Sequence, residues 1–168
     1  WPWGYTYNNA PNHASLRAMS YKFAYYNGYS PEKSSGLYLT RGSTDDWAYG
    51  ELGVPGFCIE VGDSFHQNCI TFESEINPDN QQALLRAIKI ARRPYRLTHG
   101  PEVTNLSVDP ASVDPGQTIV VHYTADDTRY STEGSGVPAN TITAIQYSID
   151  KPSWIPGSTE TYIDLLTQ

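Results

Sequence analysis

Apolar side chains recur at three- and four-residue steps early in the chain, where Leu16, Met19, Phe23 and Tyr26 fall on one face of a 3.6-residue period. This spacing predicts an amphipathic helix over 12–26 that ends near Gly28, a residue suited to the left-handed turn after a helix. A second stripe, Leu84, Ala87, Ile88 and Ala91, follows Asn77 and Pro78; it predicts a helix with Asn77 as N-cap and Pro78 in the first turn. Between the two, Val54 to Val61 is short and apolar and is bounded by Gly53 and Gly62, the pattern of a buried strand. From Pro101 onward the period changes. β-Branched and polar residues alternate at Val103 to Val108, Thr118 to Thr124 and Ala144 to Ile149, with turns at Asp109-Pro110 and Asp114-Pro115-Gly116.

The change of period predicts two domains, 1–97 and 102–168, with Pro94, Gly100 and Pro101 punctuating the junction after the basic helix end at Arg92 and Arg93. The first reads as α/β, its strands and two helices forming part of an α/β/α layered sheet whose missing strands would leave apolar surface exposed. The second reads as an all-β, immunoglobulin-like sandwich cut short, because a complete one takes about 100 residues and about seven strands. Its last apolar segment is Tyr162 to Leu166.

Composition narrows the functional classes. With 39% hydrophobic and 17% charged residues the chain is ordinary globular protein. Thirteen Tyr against four Phe give it apolar area with polar tips, suited to a polar-ligand cleft. A formal net charge of -7 and an isoelectric point near 4.9 leave no basic stripe to replace phosphate counterions, so nucleic acid is excluded as a partner. No apolar run approaches the ~18 residues needed to span a bilayer, and a monomer is expected. The opening, Trp1-Pro2-Trp3-Gly4-Tyr5, has no initiator Met, basic n-region or apolar h-region, so any signal peptide is expected to lie outside this sequence. Cys58 and Cys69 allow one disulfide; a cysteine in a strand interior is poorly aimed at a loop partner, which favours two free thiols.

The candidate chemistry lies between Tyr38 and Glu60. Strand alternation puts Cys58 and Glu60 on one face and Phe57, Ile59 and Val61 on the other. A carboxylate flanked by Ile59 and Val61 loses hydration unless it is paired; this environment suits either general-base work or a structural ion pair. Tyr38 precedes a glycine-punctuated loop, Gly42-Ser43-Thr44-Asp45-Asp46-Trp47, in which an Asp commonly bonds its own backbone.

In these landmarks and in their order, residues 1–95 resemble the zinc carboxypeptidases of the carboxypeptidase A and B type. Trp1-Pro2-Trp3-Gly4-Tyr5 is similar to the segment after the family's last zinc histidine, Leu37-Tyr38 to the loop with its mobile substrate-binding tyrosine, and Phe57-Cys58-Ile59-Glu60 to the strand ending in its catalytic glutamate. The resemblance implies a mixed-sheet α/β/α carboxypeptidase domain, secretion, peptide or protein C-termini as partners, and Glu60 as the base that deprotonates a zinc-bound water. It further implies that Tyr38 closes over the substrate and that Gly4, Asp45 and Cys58 line the pocket for the C-terminal side chain, with Asp45 favouring Lys or Arg. Zinc is the implied cofactor. Its His-x-x-Glu pair, its third histidine and the carboxylate-binding arginines are expected upstream, since His13, His66, His99 and His122 are dispersed. The fragment alone is therefore expected to be inactive. Arg41 inherits no role and reads as a solvated surface residue. Two readings compete: a relative without its zinc ligands that only binds peptides, and a noncatalytic carbohydrate-binding protein in which Trp1, Trp3, Trp47 and Trp154 line one exposed face.

Overall fold

The first helix forms as α1, His13–Asn27, and closes on Gly28, whose φ of 70° lets its N–H reach the Ala24 carbonyl oxygen. In the computed structural model, which describes residues 1–130, 136–152 and 155–164, two units are separable: Trp1–Gly100 with Arg129–Pro138, and Pro101–Thr128 with Ala139–Gln168. The first is built around α1. Leu16, Met19 and Phe23 pack with Trp1, Tyr49, Ala83 and Ile90 on one side, and Ala18 and Tyr21 pack with Tyr130 on another. Lys22 is fully buried: its ammonium donates to the Gly100 carbonyl oxygen at 2.8 Å and lies 4.6 Å from the centre of the Tyr130 ring.

Three expectations for this unit are corrected. Gly42 to Trp47 is not a loop: after a short helix α2, Ser34–Leu37, Ser43 becomes the N-cap residue of α3, Thr44–Leu52. Asp45 and Asp46 sit in its first turn, where free backbone N–H groups and the helix dipole favour carboxylates, and Gly53 closes it at φ 66°. Val54 to Val61 is not a buried strand. It runs extended after α3 without a ladder partner among the described residues, and Val54, Cys58, Glu60 and Val61 are exposed while Phe57 and Ile59 are half-buried. A strand requires a neighbour to bond, and the pattern of one segment cannot supply it.

The third correction concerns the second long helix. It begins at Cys69 as α4, Cys69–Thr71, widens into a π-turn over Phe72–Ile76, and continues as α5, Asn77–Ile90. Its N-cap is Asn68, whose Oδ1 accepts from the amides of Ile70 at 2.8 Å and Thr71 at 3.4 Å; Asn77 lies inside the helical run. Pro78 has no N–H and its ring crowds the preceding turn, and the π-turn directly ahead of it is where the hydrogen-bond ladder changes step. The buried face is also rotated from the predicted stripe: Asn80, Ala83, Arg86 and Ile90 point inward with Ala87 beside them, whereas Leu84 is 54% and Ile88 70% exposed. The small Ala83 and Ala87 side chains let α5 approach α1 closely, which fixes the face that turns inward. A short α6, Pro94–Leu97, ends the helical run.

The second unit holds two antiparallel ribbons. β1, Glu102–Asp109, pairs with β2, Val120–Asp126, in a register from Glu102 opposite Asp126 to Asp109 opposite Val120, interrupted between Thr104 and Ser107. β3, Ala144–Ser148, pairs with β4, Glu160–Asp164. The Asp114-Pro115-Gly116 turn forms as read, with the Gln117 amide donating to the Asp114 carbonyl oxygen and Gly116 at φ 91°. Residues 165–168, with the end of the last apolar segment, lie outside the described residues.

The two candidate caps are separable by mutation. Asn68→Ala removes a side-chain acceptor from two otherwise free helix amides and should cost about 1 kcal/mol in urea unfolding. Asn77→Ala, which loses only an exposed side-chain bond to Gln81, should stay within ~0.5 kcal/mol of the parent. Equal losses would contradict the assignment of Asn68 as the cap.

Candidate functional site

Tyr38 follows α2 in fully extended backbone, at φ -167° and ψ 159°, which turns its side chain out of the unit; the residue is 64% exposed. Gly42, at φ 77°, supplies the left-handed turn that brings the chain from Tyr38 back into α3. Asp45 then projects from the first turn of α3, and its Oδ2 accepts from the Ser34 hydroxyl of α2 at 3.0 Å.

The segment carrying Glu60 passes over the start of α3. At Gly56 the approach is so close that a Cβ would stand 2.6 Å from the Asp45 Cα and 2.7 Å from the Asp45 carbonyl oxygen, so this crossing requires glycine. One residue on, the Phe57 ring meets Phe23 edge-on at 5.2 Å and ties the segment to the core. The expected alternation holds from Phe57 to Glu60, with Phe57 and Ile59 half-buried and Cys58 and Glu60 exposed, and fails at Val61, which is exposed as well.

These elements enclose a concavity of about 680 Å³. Tyr38, Asp45, Cys58 and Glu60 all line it, together with Trp1, Ser34, Ser43 and Phe57. Of the expected site residues, Gly4 is not among the lining; it is buried one layer behind, where a Cβ would meet Thr40 at 3.1 Å and Ser34 at 3.3 Å, both of which do line the hollow. Any side chain at position 4 would thus press on the pocket wall. Arg41 is exposed and outside the lining.

Asp46, one residue beyond Asp45, is the part of this arrangement that the sequence reading missed. It is 7% exposed, and its carboxylate accepts from the Gly4 amide at 2.9 and 3.0 Å and from the Tyr5 amide at 3.2 Å. It thereby fixes the Trp1–Tyr5 segment to the start of α3, and the Thr40 amide donates back to the Gly4 carbonyl oxygen at 3.0 Å. Two consecutive acids after Ser43-Thr44 carry a helix-start signal. Nothing local announces amide partners more than forty residues away.

Burial of Asp45 alone would push its carboxyl upward. The adjacent Ser43 and Ser34 hydroxyls and the N–H groups opening α3 outweigh that burial, so the net position is below the ordinary aspartate value of 3.8. Asp45 is therefore a fixed negative charge in the hollow at neutral pH. Cys58 and Cys69 are both free and exposed. Among the described residues no group of three or more His, Cys, Asp or Glu side chains converges as a metal site would require. The described residues therefore do not furnish a set of zinc ligands. No helix among them is long and apolar enough to cross a membrane. Of the tryptophans, Trp1 is in the core, Trp3 is half-buried with its ring 4.9 Å from that of Tyr49, Trp47 is exposed, and Trp154 lies outside the described residues. The described tryptophans thus do not line one exposed face.

Chemically, the hollow offers an exposed carboxylate that can take a proton, an exposed phenol that can donate a hydrogen bond, and a second carboxylate that attracts a cation. Comparisons with known proteins bear on what this serves. A family model described as "Zinc carboxypeptidase" matches residues 1–86. A "Zinc carboxypeptidase" of Saccharothrix mutabilis subsp. capreolus is 39% identical over 67 residues, covering 36% of this chain and 15% of that protein. "Mast cell carboxypeptidase A" of Mus musculus is 32% identical over 100 residues, covering 54% of this chain and 24% of that protein. The chain thus spans 15% and 24% of the lengths of these two relatives.

The Asp45 environment makes a pH prediction. Because its folded carboxyl titrates below the unfolded value, its contribution to stability is complete above about pH 3.8 and is lost as the pH falls through the lower folded midpoint. The Asp45 carboxyl, followed by 13C NMR, should titrate below 3.8 in the parent and higher in Ser34→Ala. An unchanged midpoint in Ser34→Ala would show that the Ser34 hydroxyl does not hold the charge.

Proposed function

Because this chain belongs to the zinc carboxypeptidase family, we propose that it supplies the general base and the substrate pocket of a metallocarboxypeptidase that removes C-terminal amino acids from peptides. The observation that carries this reading is the convergence of Tyr38, Asp45, Cys58 and Glu60 on one hollow, although they come from three separate segments. Glu60 accepts a proton from the water that attacks the scissile carbonyl and delivers it to the departing amine; the water oxygen remains in the new carboxylate. An exposed carboxylate at the rim of the hollow is open to both water and peptide.

Tyr38 closes over the bound C-terminus and donates its phenolic O–H to the substrate, with Gly42 giving its loop a point of rotation. Asp45, charged at neutral pH and placed in the hollow, selects a C-terminal Lys or Arg by charge-assisted hydrogen bonds. Cys58 forms one wall beside it, and Gly4 stands behind Ser34 and Thr40, which form another. The metal named by the family would make the attacking water nucleophilic; its ligands are assigned outside the described residues. The second unit is assigned as part of an immunoglobulin-like β-sandwich, on the strength of its two antiparallel ribbons, and the protein as secreted and monomeric. The carbohydrate-binding alternative gains nothing from the placement of the described tryptophans.

The test is kinetic, on a zinc-supplied protein that contains this chain and releases C-terminal residues from peptides. Glu60→Gln should lower kcat by about 100-fold or more with little change in KM, because a general base acts in the transition state. Asp45→Asn should lower kcat/KM for a peptide ending in Arg more than for one ending in Phe. Full turnover by Glu60→Gln would sink the proposal; equal losses on Arg and Phe would sink the specificity alone.

A further inference from the structure

Ser34 stands where several parts of the hollow meet. Its backbone amide donates to the Trp1 carbonyl oxygen at 2.9 Å, and Gly4 backs it so closely that a Cβ there would stand 3.3 Å from the Ser34 Cβ. Its hydroxyl donates to the Asp45 Oδ2 at 3.0 Å, and both residues line the hollow.

Asp45 is confined by a second contact. The Gly56 backbone crosses against it, so that a Cβ on Gly56 would stand 2.9 Å from the Asp45 Cβ. Packed by that crossing and bonded by Ser34, the Asp45 side chain is held in one orientation. Lys33 also lines the hollow, but its ammonium donates to the Tyr7 carbonyl oxygen at 2.6 Å and to the Asn9 Oδ1 at 3.2 Å, so this cation is engaged away from Asp45.

The two basic side chains that Asp45 could select ask different things of a carboxylate. A guanidinium is a flat fork, and its strong pairing sets two parallel N–H groups on both carboxylate oxygens. An ammonium is a compact point charge with three rotatable N–H donors, and one oxygen is enough for it. With Oδ2 already accepting from Ser34, the two-oxygen pairing must displace that hydroxyl or share its oxygen, whereas the one-oxygen pairing leaves the hydroxyl in place. We propose that Ser34 is a specificity-determining residue: by engaging one oxygen of Asp45, it makes the hollow select a C-terminal Lys over Arg. This rests on the reading of Asp45 as the selector of basic C-terminal residues, and narrows it. Ser34 acts through Asp45, as a positioning residue.

The experiment uses a zinc-supplied protein that contains this chain and two peptides identical except for a final Lys or Arg, assayed at about pH 8, where a carboxyl is ionised. The parent should show a kcat/KM for the Lys peptide roughly fivefold or more above that for the Arg peptide. Ser34→Ala frees Oδ2 and should bring the two peptides within about twofold of each other, chiefly by improving Arg. Ser34→Thr keeps a hydroxyl at this position and should retain the parent preference. A parent that favours Arg would overturn the proposal. So would a Lys-to-Arg ratio unchanged in Ser34→Ala, the result expected if the substitution only damages the fold and slows both peptides alike. Equal losses of Asp45→Asn on Arg and Phe peptides would defeat the reading of Asp45 and this proposal with it. An Asp45→Asn effect confined to basic peptides, together with an unmoved Lys-to-Arg ratio in Ser34→Ala, would defeat only the role given to Ser34.

Discussion

A carboxylate buried at the start of a helix holds this site together. Asp46 gathers the amides of Gly4 and Tyr5 onto the first turn of α3, and that contact sets the opening segment of the chain against the helix that carries Asp45. A buried carboxylate is tolerable only when its oxygens are bonded, and backbone N–H groups are strong partners for the charged form. The arrangement also runs in reverse: the amides of Gly4 and Tyr5 would be left without these acceptors if the side chain were absent. From that joint, Gly4 backs Ser34 and Thr40, Ser34 bonds Asp45, and one wall of the hollow is complete.

The opposite wall depends on a different constraint, closeness of backbone. Gly56 allows the extended segment to cross the start of α3 at a distance no side chain would permit, which brings Cys58 and Glu60 over Asp45. Beyond the crossing the Phe57 ring meets Phe23, and the Gly62 amide donates to the Tyr29 hydroxyl oxygen.

What the sequence disclosed follows the range of the interactions involved. α1 and its Gly28 cap were legible because periodicity and a left-handed glycine are local signals, and β1 and β3 because alternation is local. α3 was read as a loop because Gly, Ser, Thr and Asp serve turns and helix starts equally well, and only the residues after Asp46 decide between them. Asn77 and Pro78 imitate a helix start that belongs to Asn68, the π-turn having no signature in residue type. The extended run to Glu60 looked like a buried strand because its apolar pattern says which side chains turn inward, not whether a neighbour lies alongside. Candidate residues were legible where resemblance reached them: Tyr38, Asp45, Cys58 and Glu60 share the hollow. Asp46 was not, since its partners lie 41 and 42 residues away.

The central claim is that a peptide's C-terminus enters the hollow shared by Tyr38, Asp45 and Glu60. The most direct measurement is a 15N-resolved titration of this chain with a short peptide ending in Arg, against the same peptide ending in Phe. The account predicts that the amides of Tyr38, Asp45, Cys58 and Glu60 shift together with the Arg peptide, and less with the Phe peptide. Shifts confined to the exposed Trp47 surface, with those four unmoved at saturation, would contradict it.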